Sequence, residues 1–178
     1  MNAAKYEERE TLRNGATVKI RSVRADDKAR FAEAFRNLEA ESIYTRFFHH
    51  KKSLTDQELK AATEVDFENE VALVVTILKE ESETIIGAGR YAAFDAADAQ
   101  RNAEVAFAVE EDYRGQGIAG MLLRHLAAIA RQKGVSHFEA DVLPGNKSML
   151  GVFSRSGLPM KQTTSDGTGH VSLSLKAE

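Results

Sequence analysis

The run with the clearest chemical capacity is Arg114-Gly115-Gln116-Gly117-Ile118-Ala119. It follows an apolar, strand-forming stretch at 105–109. After it, Met121, Leu122, Leu123, Leu126, Ala127, Ile129 and Ala130 recur at helical spacing as far as Gly134. A glycine turn between strand and helix makes backbone N–H groups converge. The unpaired donors of the first helical turn and the helix dipole both favour an anion there, and glycines remove the side chains that would hold a phosphate away. A plain strand-to-helix connection that binds nothing has the same pattern, so the rest of the chain decides between the two.

Gly115, Gly117 and Gly120 spell G-x-G-x-x-G, and Glu139 and Asp141 lie about twenty residues further on, where a dinucleotide fold places a ribose-binding acid. The context argues against that fold. Residues 110–114 separate the strand from the first glycine, and the carboxylates Glu110, Glu111 and Asp112 among them would repel a pyrophosphate. No second βαβ unit follows. The phosphate loop G-x-x-x-x-G-K-[ST] is absent. His49 and His50, followed by Lys51-Lys52, point different ways on any regular element and have no further ligand at metal spacing. They read as surface residues, and no metal is expected.

The elements that position the glycine run are legible from periodicity. Residues 1–14 read as a polar, mobile lead-in, closed by the turn Asn14-Gly15. Val18, Ile20 and Val23 predict a first strand. Asp26-Asp27 can cap a helix with Ala29, Phe31, Ala32, Phe35 and Leu38 on its apolar face. A short helix is predicted at 41–48. Thr55 and Glu58 have capping-box spacing and open another helix with Leu59 and Ala62 inside. Residues 71–78 are a nearly continuous apolar run suited to a central strand, with 84–91 as its antiparallel partner. The strand at 105–109, the glycine turn and the long helix follow. Then come a strand at 136–143, a helix at 146–156, and a hairpin from 160–164 and 170–175 around Asp166-Gly167. Such an order implies a mixed α/β (α+β) sheet with helices on its faces.

Composition bounds the function. With 178 residues and 43% hydrophobic content, one domain over 15–178 with a full core is expected. A net charge of −3 gives no footprint for nucleic acid. There is no Cys, which removes disulfides, thiolate metal sites and a cysteine nucleophile. No signal-peptide core opens the chain and no apolar run approaches a membrane span, so a cytoplasmic domain is expected, with no nucleic-acid or membrane partner.

Arg114-x-x-Gly117-x-Ala119, after a strand and opening a helix, resembles the acyl-CoA-binding motif of the GNAT N-acetyltransferases. A second match follows in order: Asn146-Lys147-Ser148-Met149, then Phe153-x-Arg155-x-Gly157-Leu158, is similar to the family's next motif. The resemblance covers about residues 18–175. Ser42-Ile43-Tyr44-Thr45-Arg46-Phe47-Phe48, residues 103–109 and Ser156-Gly157-Leu158-Pro159 resemble the acetyltransferase domain of bacterial Pat-type protein lysine acetyltransferases. There it is often fused to an acyl-CoA-synthetase-like or cyclic-nucleotide-binding domain, for which 178 residues leave no room. The implied fold is a GNAT-like, mainly antiparallel sheet of about seven strands flanked by about four to five helices.

The resemblance implies acetyl-CoA as cosubstrate, with no metal, and an amine acceptor: a lysine side chain of a protein or a small amine. A non-catalytic acyl-CoA-binding regulatory module is the alternative outside enzymology. Glu104, at the start of the strand that meets the glycine loop, is the implied general base. Glu110 and Glu111 are rivals that the sequence places beside the phosphate end, facing solvent. The pantetheine arm would pair with the strand at Phe107, Ala108 and Val109, with an amide near Val109 polarising the thioester carbonyl. Arg114, Gly115, Gln116, Gly117, Ile118, Ala119 and Gly120 would hold the pyrophosphate. Asn146, Met149 and Phe153 complete the implied cofactor contacts, and Asn146 can equally be a plain helix cap. Phe153 departs from the family, many of whose members carry a proton-donating Tyr there. Tyr113 and Ser148 are the substitutes the sequence offers. Arg46-Phe47-Phe48 is a candidate for shaping the acceptor site. Oligomeric state and acyl-chain preference have no signal in the sequence.

Overall fold

The computed structural model describes residues 2–36, 53–143, 145–165 and 167–176. The predicted helix at 41–48, the residues 42–48 that carry part of the resemblance, Leu38, His49, His50, Lys51, Lys52, Pro144 and Asp166 lie outside the described residues.

One sheet of eight strands organises the chain: β1 (Glu7–Thr11), β2 (Thr17–Ser22), β3 (Glu70–Lys79), β4 (Ser82–Asp95), β5 (Arg101–Val109), β6 (His137–Val142), β7 (Met160–Ser165) and β8 (Thr168–Ser174). Their spatial order is β1-β2-β3-β4-β5-β6-β8-β7. Every neighbouring pair is antiparallel except β5 and β6, which are parallel. The described helices are α1 (Lys28–Arg36), α2 (Asp56–Thr63), α3 (Ile118–Gln132) and α4 (Lys147–Ser154).

The sheet has one strand more than expected. Part of the predicted lead-in is β1, whose residues Glu7 to Thr11 pair with Arg21 to Thr17 of β2. Glu-Glu-Arg-Glu-Thr has no apolar residue, and its side chains stay largely exposed. Its backbone supplies the pairing, and charge suits an edge strand that must not recruit another chain. Ala3 and Leu12 are buried on either side of it and fix it to the core.

β3 sits centrally because it is apolar on both faces: Val71, Leu73, Val74 and Val75 have no exposed surface. On one face lies α3, burying Ile118, Leu122, Leu123, Leu126, Ile129 and Ala130 at helical spacing. It comes very close to β4. A Cβ on Gly87 would stand 2.7 Å from Ile118 Cγ2, and one on Gly89 would stand 3.1 Å from Leu126 Cδ1. On the other face, α1 packs Phe31 and Ala34 on Val23, Ala72, Val74 and Ile85. The entry to α1 is held by Asp27, wholly buried, which accepts the Arg24 N–H at 2.7 Å and the Arg21 guanidinium at 2.8 and 2.9 Å. The expected Thr55–Glu58 capping box opens α2, each side chain accepting the other's backbone N–H at 3.1 Å.

Candidate acyl-CoA site

The site is built where β5 and β6 part. They are paired over Asn102–His137, Ala103–Phe138 and Glu104–Glu139 alone. Beyond Glu104, β6 continues against β8, and β5 continues against β4. The phase of the β4–β5 ladder is fixed by Glu110, whose N–H donates to Ile86 O at 2.8 Å. Peptide groups alternate direction along a strand. Those of Val109 and Phe107 therefore face away from β4, along the open edge of the splay.

That edge runs into the glycine loop. After a 3₁₀ turn (Glu111–Tyr113), Gly117 takes φ +89° as the residue capping α3. This left-handed conformation is strained for any residue with a Cβ. The first backbone bond of α3 is Met121 N–H to Gly117 O, so the amides of Ile118, Ala119 and Gly120 precede the helical ladder. A cavity of about 460 Å³ spans the loop and the splay. β5 contributes Phe107, Ala108 and Val109 to its lining. Arg114, Gly115 and Gly117 come from the loop, and Ile118, Ala119 and Gly120 from the first turn of α3. Asn146 and Met149 close it from the start of α4. Asn146 is also the helix cap, accepting the Met149 N–H at 3.2 Å.

Two expected cofactor residues do not line this cavity. Gln116 turns its side chain outward, where Oε1 accepts the Asn14 N–H at 2.9 Å. Phe153 is 1% exposed and packs against Phe107 with ring centroids 6.3 Å apart. Conversely, Arg13, Tyr113, Lys147, Ser148 and Arg155 line it. Arg13 has no sequence signal, because it reaches the loop from more than a hundred residues away. Arg155 stands in the second motif as a family position, with no contact implied for it there.

Glu104 stands at the branch point, exposed, beside a separate cavity of about 420 Å³ shared with Phe94, Asn102, Glu139, Asp141 and His170. His170 ties β6 to β8: Nδ1 lies 2.9 Å from Asp141 Oδ1 and Nε2 lies 2.7 Å from Glu139 Oε2. Ser172 Oγ donates to the other Glu139 oxygen at 2.9 Å. The hydrogen bond to Asp141 raises the His170 pKa. Partial burial opposes this, and Glu139 adds to it.

Glu110 differs from expectation. It is 5% exposed rather than solvent-facing: it continues the alternation of Glu104, Ala106 and Ala108 along a face of β5 that is exposed at Glu104 and covered at residue 110. At the covered end of that face, Ala106, Ala108 and Glu110 line an apolar cavity of about 240 Å³ next to Phe31 and Phe35 of α1. Burial pushes the Glu110 pKa up, against the pull of Lys79, whose Nζ is 4.0 Å from Oε2. Glu111 is exposed, as expected.

Residues 33–158 match the acetyltransferase (GNAT) family. The chain belongs to that family. The GNAT domain of S. lividans PAT, a crystal structure, is 34% identical, with TM-score 0.86, over 94% of this chain and 96% of that one. An acetyltransferase of Pseudomonas aeruginosa is 25% identical over 89% of this chain and 84% of its own length. The acetyltransferase Pat of Mycolicibacterium smegmatis is 31% identical over 82% of this chain, and the match spans only 42% of that protein. Membership gives this GNAT chain its fold, the mainly antiparallel sheet described above, and accounts for the glycine pattern. A doubly wound dinucleotide sheet is excluded by the antiparallel run β1 to β5. Glu139 and Asp141, which spacing offered as ribose-binding acids, instead hold His170.

Proposed function

We propose that this GNAT chain transfers an acetyl group from acetyl-CoA to a primary amine, with the lysine side chain of a protein as the acceptor. The observation that carries the reading is the single parallel pair, β5 with β6, opening just past Glu104. The open amides of Val109 and Phe107 lead from that point to the amides at the start of α3. A pantetheine chain needs this arrangement: a strand edge for its amide groups and an anion cradle for its pyrophosphate.

In the proposed reaction Glu104 takes a proton from the acceptor ammonium, directly or through water. The free amine attacks the thioester carbonyl, forming the C–N bond. The amide of Val109 stabilises the oxyanion. Collapse breaks the C–S bond and releases CoA thiolate, and the proton still on the attacking nitrogen passes to that thiolate directly or through water, leaving neutral amide and CoA thiol. Phe153 has no proton to give that sulfur, whereas Tyr113 and Ser148 both line the cofactor cavity. A thiol of ordinary acidity is also a fair leaving group as the thiolate.

The cationic acceptor is supported by the cavity at Glu104, where three carboxylates, Glu104, Glu139 and Asp141, face one histidine, His170, and Phe94, 44% exposed, offers an apolar surface to an alkyl stem. The protein-lysine reading is supported by the similarity to Pat domains. Incubating the chain with acetyl-CoA and, separately, lysine-containing proteins, polyamines and amino acids tests it through release of free thiol. Release with proteins alone is expected. Release with small amines alone would replace the acceptor, and none with any acceptor would favour a non-catalytic acyl-CoA-binding module.

A further inference from the structure

We infer that Arg13, at the tip of the β1–β2 hairpin, binds a phosphate of the cofactor, so that the N-terminal hairpin is a working part of the acyl-CoA site. The inference rests on the proposed acyl-CoA reading of the cavity and adds an element to it. Arg13 lies outside residues 33–158, the part of the chain matched to the family.

The hairpin tip is a closed turn. Leu12 N–H donates to Ala16 O at 2.8 Å, Ala16 N–H donates to Asn14 Oδ1 at 2.9 Å, and Leu12 is 3% exposed beneath it. From this base the tip rests on the glycine loop at two points. Asn14 N–H donates to Gln116 Oε1 at 2.9 Å, and Arg13 Nη1 donates to Gly115 O at 3.1 Å. The guanidinium lies over Gly117, with Nε 3.6 Å from where a Cβ on that residue would stand. It therefore sits at the mouth of α3, beside the amides that precede the helical ladder.

Charge supplies the second argument. Arg13, Arg114, Lys147 and Arg155 all line the same cavity, and no Asp or Glu does so among the described residues. No carboxylate there forms an ion pair with Arg13. Arg13 from the hairpin and Lys147 and Arg155 from α4 and its C-terminal cap thus converge on one concave surface, a positive field that favours an anionic ligand. The guanidinium presents a fork of N–H donors matched to phosphate oxygens. One of them is committed to Gly115 O, which leaves others for a ligand.

Arg13→Ala and Arg13→Gln should separate phosphate binding from propping of the loop. Glutamine keeps an N–H donor near the position of Nε, short of the Nη1 that reaches Gly115 O, and carries no charge. Calorimetric titration of CoA into the full chain should show affinity lowered about tenfold or more in both variants, the scale of a charge-assisted hydrogen bond. The kcat/KM for S-acetylpantetheine, which has no nucleotide phosphates, should be unchanged. Melting curves without ligand show whether either variant is less stable, and titrations are run below the lower transition. If Arg13→Gln binds CoA as tightly as the wild type, the guanidinium contributes nothing to phosphate binding and the inference falls. It also falls if both variants lose S-acetylpantetheine activity by the factor by which they lose CoA. A wild-type chain that does not bind CoA would remove the acyl-CoA reading together with this inference.

Discussion

At the residue scale, the proposal places the demanding chemistry on Glu104 and the holding of the cofactor on backbone groups. The Glu104→Gln substitution preserves shape and removes the base. Positioned general bases contribute about 10²–10⁴ in rate, so kcat should fall at least about 100-fold. Acetyl-CoA affinity should not change, because the cofactor cavity does not include Glu104. Steady-state kinetics with a separate binding titration check both halves, and an unchanged kcat would take Glu104 out of the mechanism. His170 supports a pH prediction. Its pKa is raised above the ordinary 6.5, chiefly by the hydrogen bond to Asp141. A histidine raised on folding stabilises fully below its unfolded value, and that stabilisation is lost as pH rises through the folded value. The stability difference between the wild type and His170→Gln should therefore be largest below pH 6.5 and shrink above it. Because the side chain is 44% exposed, solvent screens the effect and it should be small. Urea titrations on both sides of that pH measure it; a difference that grows with pH would contradict the assignment.

At the element scale, the cavity proposed for acyl-CoA depends on how closely α3 approaches β4. Gly87 permits that approach, since a Cβ there meets Ile118 Cγ2 at 2.7 Å. Ile118 is β-branched and stiff, and it opens the helix whose first turn faces the cavity. Gly87→Ala should destabilise the fold by about 1–3 kcal/mol through overpacking. Adding Ile118→Leu, which has no β-branch and so loses the Cγ2 methyl, should restore part of the loss. Denaturant unfolding of the single and double variants measures this, and full additivity would show that the two residues do not compete for space. The elements most legible in the sequence are those with strong periodicity or a cap: α3, the β3–β4 pair and the Thr55–Glu58 box. β1 is not legible, because an edge strand of Glu-Glu-Arg-Glu-Thr is held by backbone pairing and hydrophobic patterning has nothing to detect. Glu110 misleads for a related reason. Its charge suggests solvent, while the β5 face that is exposed at Glu104 has passed under α1 and α2 by residue 110.

At the scale of the whole molecule, the described strands form one sheet that opens where β5 and β6 part. The residues around the cavity proposed for acyl-CoA come from the hairpin tip, from β5 with the glycine loop that follows it, and from the start of α4, three stretches far apart in sequence. Two motifs make the loop and the α4 contacts readable from the amino-acid sequence. The Arg13 contact spans 102 positions, and no local pattern announces it. The cavity at Glu104 likewise needs Phe94 from β4, Glu139 and Asp141 from β6 and His170 from β8. Only the order of strands brings them together. The proposed reaction joins the two cavities at the β5–β6 splay. The most direct measurement is the initial rate of CoA thiol release with acetyl-CoA and a lysine-containing protein acceptor, followed by mass spectrometry of that acceptor. The account predicts thiol release matched one-for-one by acetyl groups on lysine side chains. Thiol release without acetylated acceptor, or no release above the uncatalysed rate, would contradict it.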